Sequence, residues 1–433
     1  MTHQLIALLD AQQVGEVLRD RSGKLSFRYF EQWRTLQDAY PLSLSMPLAS
    51  TEHGHARIDA FLWGLLPDNE RILEAWAHKF HVSQRNAFGL IAAVGEDCAG
   101  AVQFVRPERL EATLGQETPK IIWLSEADIA QRLGSLRVDR AAWRAPTDTG
   151  QFSLAGAQPK TAFLYESGRW GVPSGRIPTT HIFKPPSGEF EGHAENEHFC
   201  LRLARSFELP APNSEIKQFE NEIAMVIERY DRVRTEDGLR RVHQEDICQA
   251  LGLMPTRKYE NEGGPGAGEV VELLRTYSAD RNQDVATFVD SLALNWIIAG
   301  TDAHAKNYAV LIGAGGVVRL APLYDLASTL PYKSIDPMRA KLAMKIGGAY
   351  RIRDIGIRQW QKLATELRLD EEQVVARIGA FVEAFPEHVS QIRKEMIAAG
   401  LTHPIINDLA QRFTDRSIQC RQLLQVASQQ SSI

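Results

Sequence analysis

Gly300-Thr301-Asp302-Ala303-His304-Ala305-Lys306-Asn307 follows a helix-patterned run at 286–299 and precedes strand-like residues at 308–312. An aspartate and an asparagine five positions apart on one loop suit phosphoryl transfer. The carboxylate can orient an attacking hydroxyl and accept its proton, while the amide oxygen can hold magnesium. Taken singly, Asp302 and Asn307 would read as ordinary helix or turn caps. The next stretch of chain separates the two readings: a hairpin through Gly315-Gly316, a strand at 317–323, then Tyr324-Asp325-Leu326. A second carboxylate, Asp325, thus lands just past a strand end. Magnesium takes oxygen ligands and is commonly held by one or two protein groups together with substrate phosphates, so Asn307 and Asp325 suffice.

Working backwards, the alternating segment 179–184 ends in Lys184 before Pro185-Pro186, a lysine aimed from a strand at nucleotide phosphates. On the next helix, 194–206, Glu197 is placed in chain order to pair with it, with Glu195 as competitor. Ser153-Leu154-Ala155-Gly156-Ala157-Gln158-Pro159-Lys160 is a small-residue turn leading into a strand at 161–165. Its backbone N–H groups are candidates to meet phosphates, although it matches neither established glycine-rich phosphate motif. The apolar run 223–227 breaks into Glu228-Arg229-Tyr230-Asp231-Arg232, where Glu228 and Tyr230 would meet adenine. The run Gly263-Gly264-Pro265-Gly266-Ala267-Gly268 has no adjoining strand and reads as a flexible surface loop. This order of parts is that of a protein kinase.

A chain of 433 residues exceeds one compact core. Strand-like stretches at 5–9, 14–17 and 25–29, with turns at Asp10, Gly15 and Gly23, predict a small antiparallel sheet. Helices are expected at 58–65 and 69–80, the latter capped by Asp68. The predicted organisation is an N-terminal α+β domain over 1–110, a connecting segment over 111–150 and a kinase-like domain over 151–433. The last divides into a strand-rich part at about 151–235 and a helical part at about 236–433. The fold class is α+β: a protein-kinase-like two-lobed core with a mainly helical C-terminal lobe and a small N-terminal α/β domain.

Composition narrows the function classes. Lys and Arg number 49 against 54 Asp and Glu, a net charge of -5, so the chain as a whole offers no general attraction for nucleic acid or anionic lipid. Cys98, Cys200, Cys248 and Cys420 lie far apart without a C-x-x-C pair, which argues against zinc or a disulfide framework and for a reducing cytoplasm. The start lacks a basic leader with a long apolar run, and no stretch approaches the ~20 apolar residues of a membrane span. No membrane association is expected.

SLAGAQPKTAFLY, THIFKPP, ENEHFCLRLA, VIERYDR, HQEDICQALG, GTDAHAKNYAVL and LAPLYDLAST together resemble the HipA family of toxin kinases. SLSMPL, FLWGLLPDNERI and GEDCAGAV extend the resemblance to the N-terminal region. It implies a serine/threonine-protein kinase using ATP and magnesium, with Asp302 as catalytic base, Asn307 and Asp325 as metal ligands and Lys184 on the phosphates. Ala155, Gly156, Ala157, Gln158 and Lys160 would cover the phosphates, and Glu228 and Tyr230 the adenine. His304 and Lys306 would lie beside the phosphates, with Tyr324 also at the nucleotide. It further implies autophosphorylation of Ser153, a helix-turn-helix antitoxin partner in a type II toxin–antitoxin system, and operator DNA bound through that complex. An aminoacyl-tRNA synthetase is the kind of target expected. The rival readings are a small-molecule kinase of the same fold and a catalytically silent corepressor; labelled ATP with cell lysate separates the first, and the presence of Lys184, Asp302, Asn307 and Asp325 weighs against the second.

Overall fold

The computed structural model describes residues 3–115, 121–139, 142, 153, 155–156, 158–174, 177–186, 190–236 and 238–425. It divides into two compact units. The first comprises Met1–Ser187, Lys217–Thr256 and Ala309–Val318; the second comprises Gly188–Ile216, Arg257–Tyr308 and Arg319–Ile433.

The first unit opens with a five-stranded antiparallel sheet in the order Glu52–Gly54, Leu25–Tyr29, Gln12–Arg19, Gln4–Leu9, Val102–Val105. The strand Gln4–Leu9 is paired on both edges and buried on both faces: Leu5, Ala7 and Leu9 join the larger core, while Ile6 and Leu8 pack with Val105. That two-sided burial explains its nearly unbroken apolar sequence. Gly15 is a strand residue and not the expected turn. A Cβ there would stand 2.5 Å from the Arg28 carbonyl oxygen and 2.8 Å from the Phe27 ring. The helix Glu70–Phe80 is capped by Asn69, not Asp68: its side chain accepts from the N–H groups of Arg71 and Ile72.

A second sheet has six strands, in the order Ser214–Phe219, Glu222–Glu228, His181–Lys184, Thr161–Glu166, Arg169–Pro173, Ile121–Leu124. The stretch expected to connect domains therefore contains an edge strand. It also contains the helix Glu126–Val138, which begins in a capping box of Ser125 and Asp128 and lays Ile129, Ala130 and Leu133 against Phe163, Phe183 and Val226. Beyond residue 230 come strands that periodicity does not reveal. Arg232–Thr235 pairs with Gly238–Arg241, and His243–Asp246 pairs with Ala309–Ile312. Their sequences, RVRT, GLRR and HQED, carry too few apolar residues to announce a strand.

Buried charge ties the parts of this unit together. Asp97 accepts from Arg232 at 2.9 Å and from Arg241 at 3.4 Å, stands 3.6 Å from the Arg229 guanidinium, and takes the Thr179 hydroxyl at 2.8 Å. Asp231 accepts from Arg229 and from the Gly100 N–H. Burial alone would push both carboxyls up; the surrounding guanidiniums reverse that and hold both below the ordinary carboxylate range. The HQEDICQALG segment is a second latch. Leu44 N–H donates to Glu245 Oε1 at 2.7 Å, the Ser43 hydroxyl donates to the Gln249 carbonyl, and Gln249 Nε2 donates to the Phe61 carbonyl.

The second unit is mainly helical, with His193–Ser206, Ala267–Tyr277, Arg281–Ile298, Ile357–Glu366, Glu371–Ala398 and Ile405–Gln425. Its core includes Trp296 against Trp360 edge to face at 5.6 Å and Phe385 against Phe413. Among the described residues no helix is long and apolar enough to cross a membrane, and all four cysteines are buried and free.

Candidate functional site

The helix Arg281–Ile298 starts at Asp280, whose carboxylate accepts from the Gln283 N–H, and ends at Ala299 in the left-handed region (φ 52°). Gly300 then turns the chain so tightly that a Cβ would lie 2.2 Å from Asn295 Oδ1 and would have to displace that amide. The turn delivers Asp302 to the surface with its side chain 71% exposed, while His304, Ala305 and Lys306 go inward.

The loop is braced by its own groups. Asn307 Nδ2 donates to the Asp302 carbonyl at 2.7 Å, which leaves the Asn307 amide oxygen, a suitable metal donor, out of that bond. The His304 N–H donates to the same carbonyl at 2.8 Å. Tyr324 donates its hydroxyl to the Lys306 carbonyl at 2.7 Å, joining the Asp325 segment to the loop. Farther along, Ser328 Oγ donates to the Ile298 carbonyl and Thr329 Oγ1 to that of Ala299. Asp325 itself has φ 51°, a conformation that a non-glycine residue holds only when its surroundings impose it and that clusters at functional sites. An amide oxygen and a carboxylate on two stitched segments are a donor set that fits magnesium with phosphate oxygens and not a softer metal.

Asp302, His304, Lys306, Asn307, Tyr324 and Asp325 therefore all belong to the second unit, as do Glu195 and Glu197, which are buried on the helix His193–Ser206 and not exposed carboxylates. The remaining predicted residues belong to the first unit. Lys184 is buried in a central strand, opposite Met225. Glu228 ends the neighbouring strand exposed, and the Tyr230 hydroxyl bonds Gln244 Oε1. Lys160 donates to the Ala155 carbonyl at 2.5 Å. Gly156 has φ 105°, and a Cβ there would lie 2.6 Å from Lys160 Nζ. Ser153 is fully buried, its hydroxyl donating to the Leu65 carbonyl at 2.7 Å and its N–H to the Asp97 carbonyl at 2.9 Å. Gln158 is half-buried, and Ala157 lies outside the described residues.

Sequence reasoning misses Tyr259, whose hydroxyl donates to Asp302 Oδ1 at 2.5 Å. The signal for it is the glycine run 263–268. That run is not a surface loop throughout: Pro265, Gly266 and Ala267 are buried, and a helix begins at Ala267.

The family model of the HipA N-terminal domain matches residues 5–105, and that of the HipA-like C-terminal domain matches 152–389. Y4mE of Sinorhizobium fredii is 35% identical over 419 residues, covering 94% of this chain and 96% of that protein. The serine/threonine-protein kinase toxin HipA of Shewanella oneidensis is 29% identical over 397 residues, covering 88% of this chain and 87% of its own length. The solved structure of Shewanella oneidensis HipA with HipB and its operator DNA superposes with a TM-score of 0.79 at 25% identity, covering 96% of both chains. With both family models matched in order and the fold shared over nearly the full length, this chain belongs to the HipA family.

Proposed function

We propose that this chain is a serine/threonine-protein kinase toxin that transfers the γ-phosphoryl group of ATP to a protein hydroxyl. The observation that carries the reading is the bracing of Asp302, Asn307 and the Asp325 segment into one part of the second unit. Asp302 accepts the proton of the serine or threonine hydroxyl as its oxygen bonds phosphorus and the bond to ADP breaks. Oδ1 is engaged by Tyr259, so Oδ2 is the oxygen for the incoming hydroxyl. Asn307 Oδ1 and Asp325 would hold magnesium, which offsets the negative charge of the phosphates. Lys184, Lys306 and His304 attend the phosphates together with the 155–160 loop; Glu228 and Tyr230 attend adenine, and Tyr324 supports the Lys306 turn.

Ser153 is the autophosphorylation site in this reading. Its hydroxyl must leave the Leu65 carbonyl to react, and a phosphoserine, adding about -1.5 to -2 charges, cannot return to a buried site that offers a carbonyl oxygen. Modification then silences the enzyme. The relative solved with HipB and operator DNA supports a helix-turn-helix antitoxin as partner and DNA binding through that complex. A net charge of -5 supports the reading that most DNA affinity belongs to the partner. A translation enzyme such as an aminoacyl-tRNA synthetase is the target class, in the cytoplasm.

The test is to incubate the chain with labelled Mg-ATP and cell lysate and to locate phosphate by mass spectrometry, for the wild type and Asp302→Gln. Phosphoserine or phosphothreonine should appear only with the wild type. Label confined to a soluble metabolite would sink the protein-kinase reading.

A further inference from the structure

We propose that Tyr259 is a positioning residue for Asp302, presented by the glycine run just beyond it; the proposal rests on the phosphotransfer reading above. Three consecutive residues grip the loop and its surroundings. The Lys258 carbonyl accepts the Ala305 N–H at 3.2 Å. Tyr259 donates to Asp302 Oδ1 at 2.5 Å and meets the His304 ring edge to face, with centroids 4.9 Å apart. His304 Nε2 stands 4.0 Å from that same oxygen. Glu260 accepts the Lys345 N–H at 2.6 Å and pairs with the Lys345 ammonium at 3.2 Å, fixing the segment to the strand Lys341–Ile346.

Behind Tyr259 the backbone doubles back in a turn that leaves no room for a Cβ at Gly264. Gly263 has φ 83°, and the Gly264 N–H donates to the Tyr259 carbonyl at 2.9 Å. A Cβ on Gly264 would lie 2.1 Å from the Arg257 carbonyl oxygen and 2.7 Å from that of Tyr259; one on Gly266 would lie 2.7 Å from Glu260 Cδ. Gly264 thus serves a close backbone approach.

An exposed carboxylate turns easily about its last bond. A hydroxyl fixed on one oxygen stops that rotation and keeps the other oxygen facing the incoming substrate. Misorientation of a reacting group costs rate without costing nucleotide binding.

The test uses the full chain as wild type, Tyr259→Phe, Asp302→Gln and the double variant. It follows labelled phosphate into the chain itself and into dephosphorylated casein, alongside binding of a fluorescent ATP analogue and the thermal midpoint. Tyr259→Phe should lower the transfer rate ~10-fold with analogue affinity and midpoint unchanged. In the Asp302→Gln background it should cost nothing further, because it acts through Asp302. An active wild type with Tyr259→Phe at full rate overturns the role of Tyr259 and leaves the kinase reading standing. Additive losses in the double variant also overturn it. A wild type that binds the analogue nowhere and labels neither itself nor casein removes the kinase reading and this proposal together.

Discussion

Two constellations of charge in this chain are built on opposite terms. Asp97 is enclosed by three guanidiniums and a hydroxyl, with its side chain 10% exposed and its acceptor positions taken by protein donors. Asp302 faces solvent, and the side chains near its carboxylate are a tyrosine hydroxyl and a histidine nitrogen 4.0 Å away. A carboxylate saturated by buried cations contributes cohesion and is closed to substrate. One held in place but open to water remains available to take a proton. The contrast shows why charged residues in a family motif need not touch a ligand: in VIERYDR, Arg229, Asp231 and Arg232 are buried, while Glu228 is exposed.

The sharpest way to break this contrast is to neutralise each carboxylate in turn. Asp302→Gln should lower phosphotransfer by ~10² to 10⁴-fold, the usual range for a positioned proton acceptor. Its unfolding free energy in urea should stay within about 0.5 kcal/mol of the wild type, as for an exposed site. Asp97→Asn should do the reverse, losing about 3 to 5 kcal/mol in the same urea experiment, because three buried arginines are left short of counter-charge. Equal stability losses in the two variants would erase the distinction.

Acid titration sharpens the comparison further. Asp97 and Asp231 have folded-state values below their ordinary 3.8, so their contribution is complete above that value and drains away as pH falls through the depressed ones. Tryptophan fluorescence against pH should show wild-type stability declining below about pH 4, and Asp97→Asn with a shallower acid slope. An effect of opposite sign belongs to Glu245. Burial pushes its carboxyl up to about 8 against opposing bonds from Leu44 and Ser43, so the native state keeps a proton that the unfolded chain has released above 4.5. Its burden grows between those values, so in the same urea experiment Glu245→Gln should be increasingly more stable than the wild type as pH rises from about 5 to about 8, and no more stable at about pH 4.

The elements carrying the proposed chemistry are readable because their spacing is local. Asp302 to Asn307 sits between a helix and a strand, and the segment through Asp325 comes one strand later. The N-terminal strands are readable from apolar runs such as LIALL. The hidden part is long-range. Nothing near Asp97 announces that its partners lie at 229, 232 and 241, and the arginine-rich strands there carry no apolar period. The glycine run 263–268 misleads for the same reason: the carbonyls of Arg257 and Tyr259, which exclude a Cβ at Gly264, only come close to it once the turn is formed. Motifs such as HQEDICQALG are recognisable in wording, but their work as latches exists only in the folded chain.

The arginines that close around Asp97 arrive more than 130 residues after it, as with Arg232 and Arg241. On a ribosome the first sheet, complete by Val105, has all its strands while these partners are still unmade. Until residue 241 emerges, Asp97 must remain hydrated, and its surroundings cannot close over it without stranding a bare carboxylate. The nascent chain is thereby kept unfinished for more than half of its synthesis.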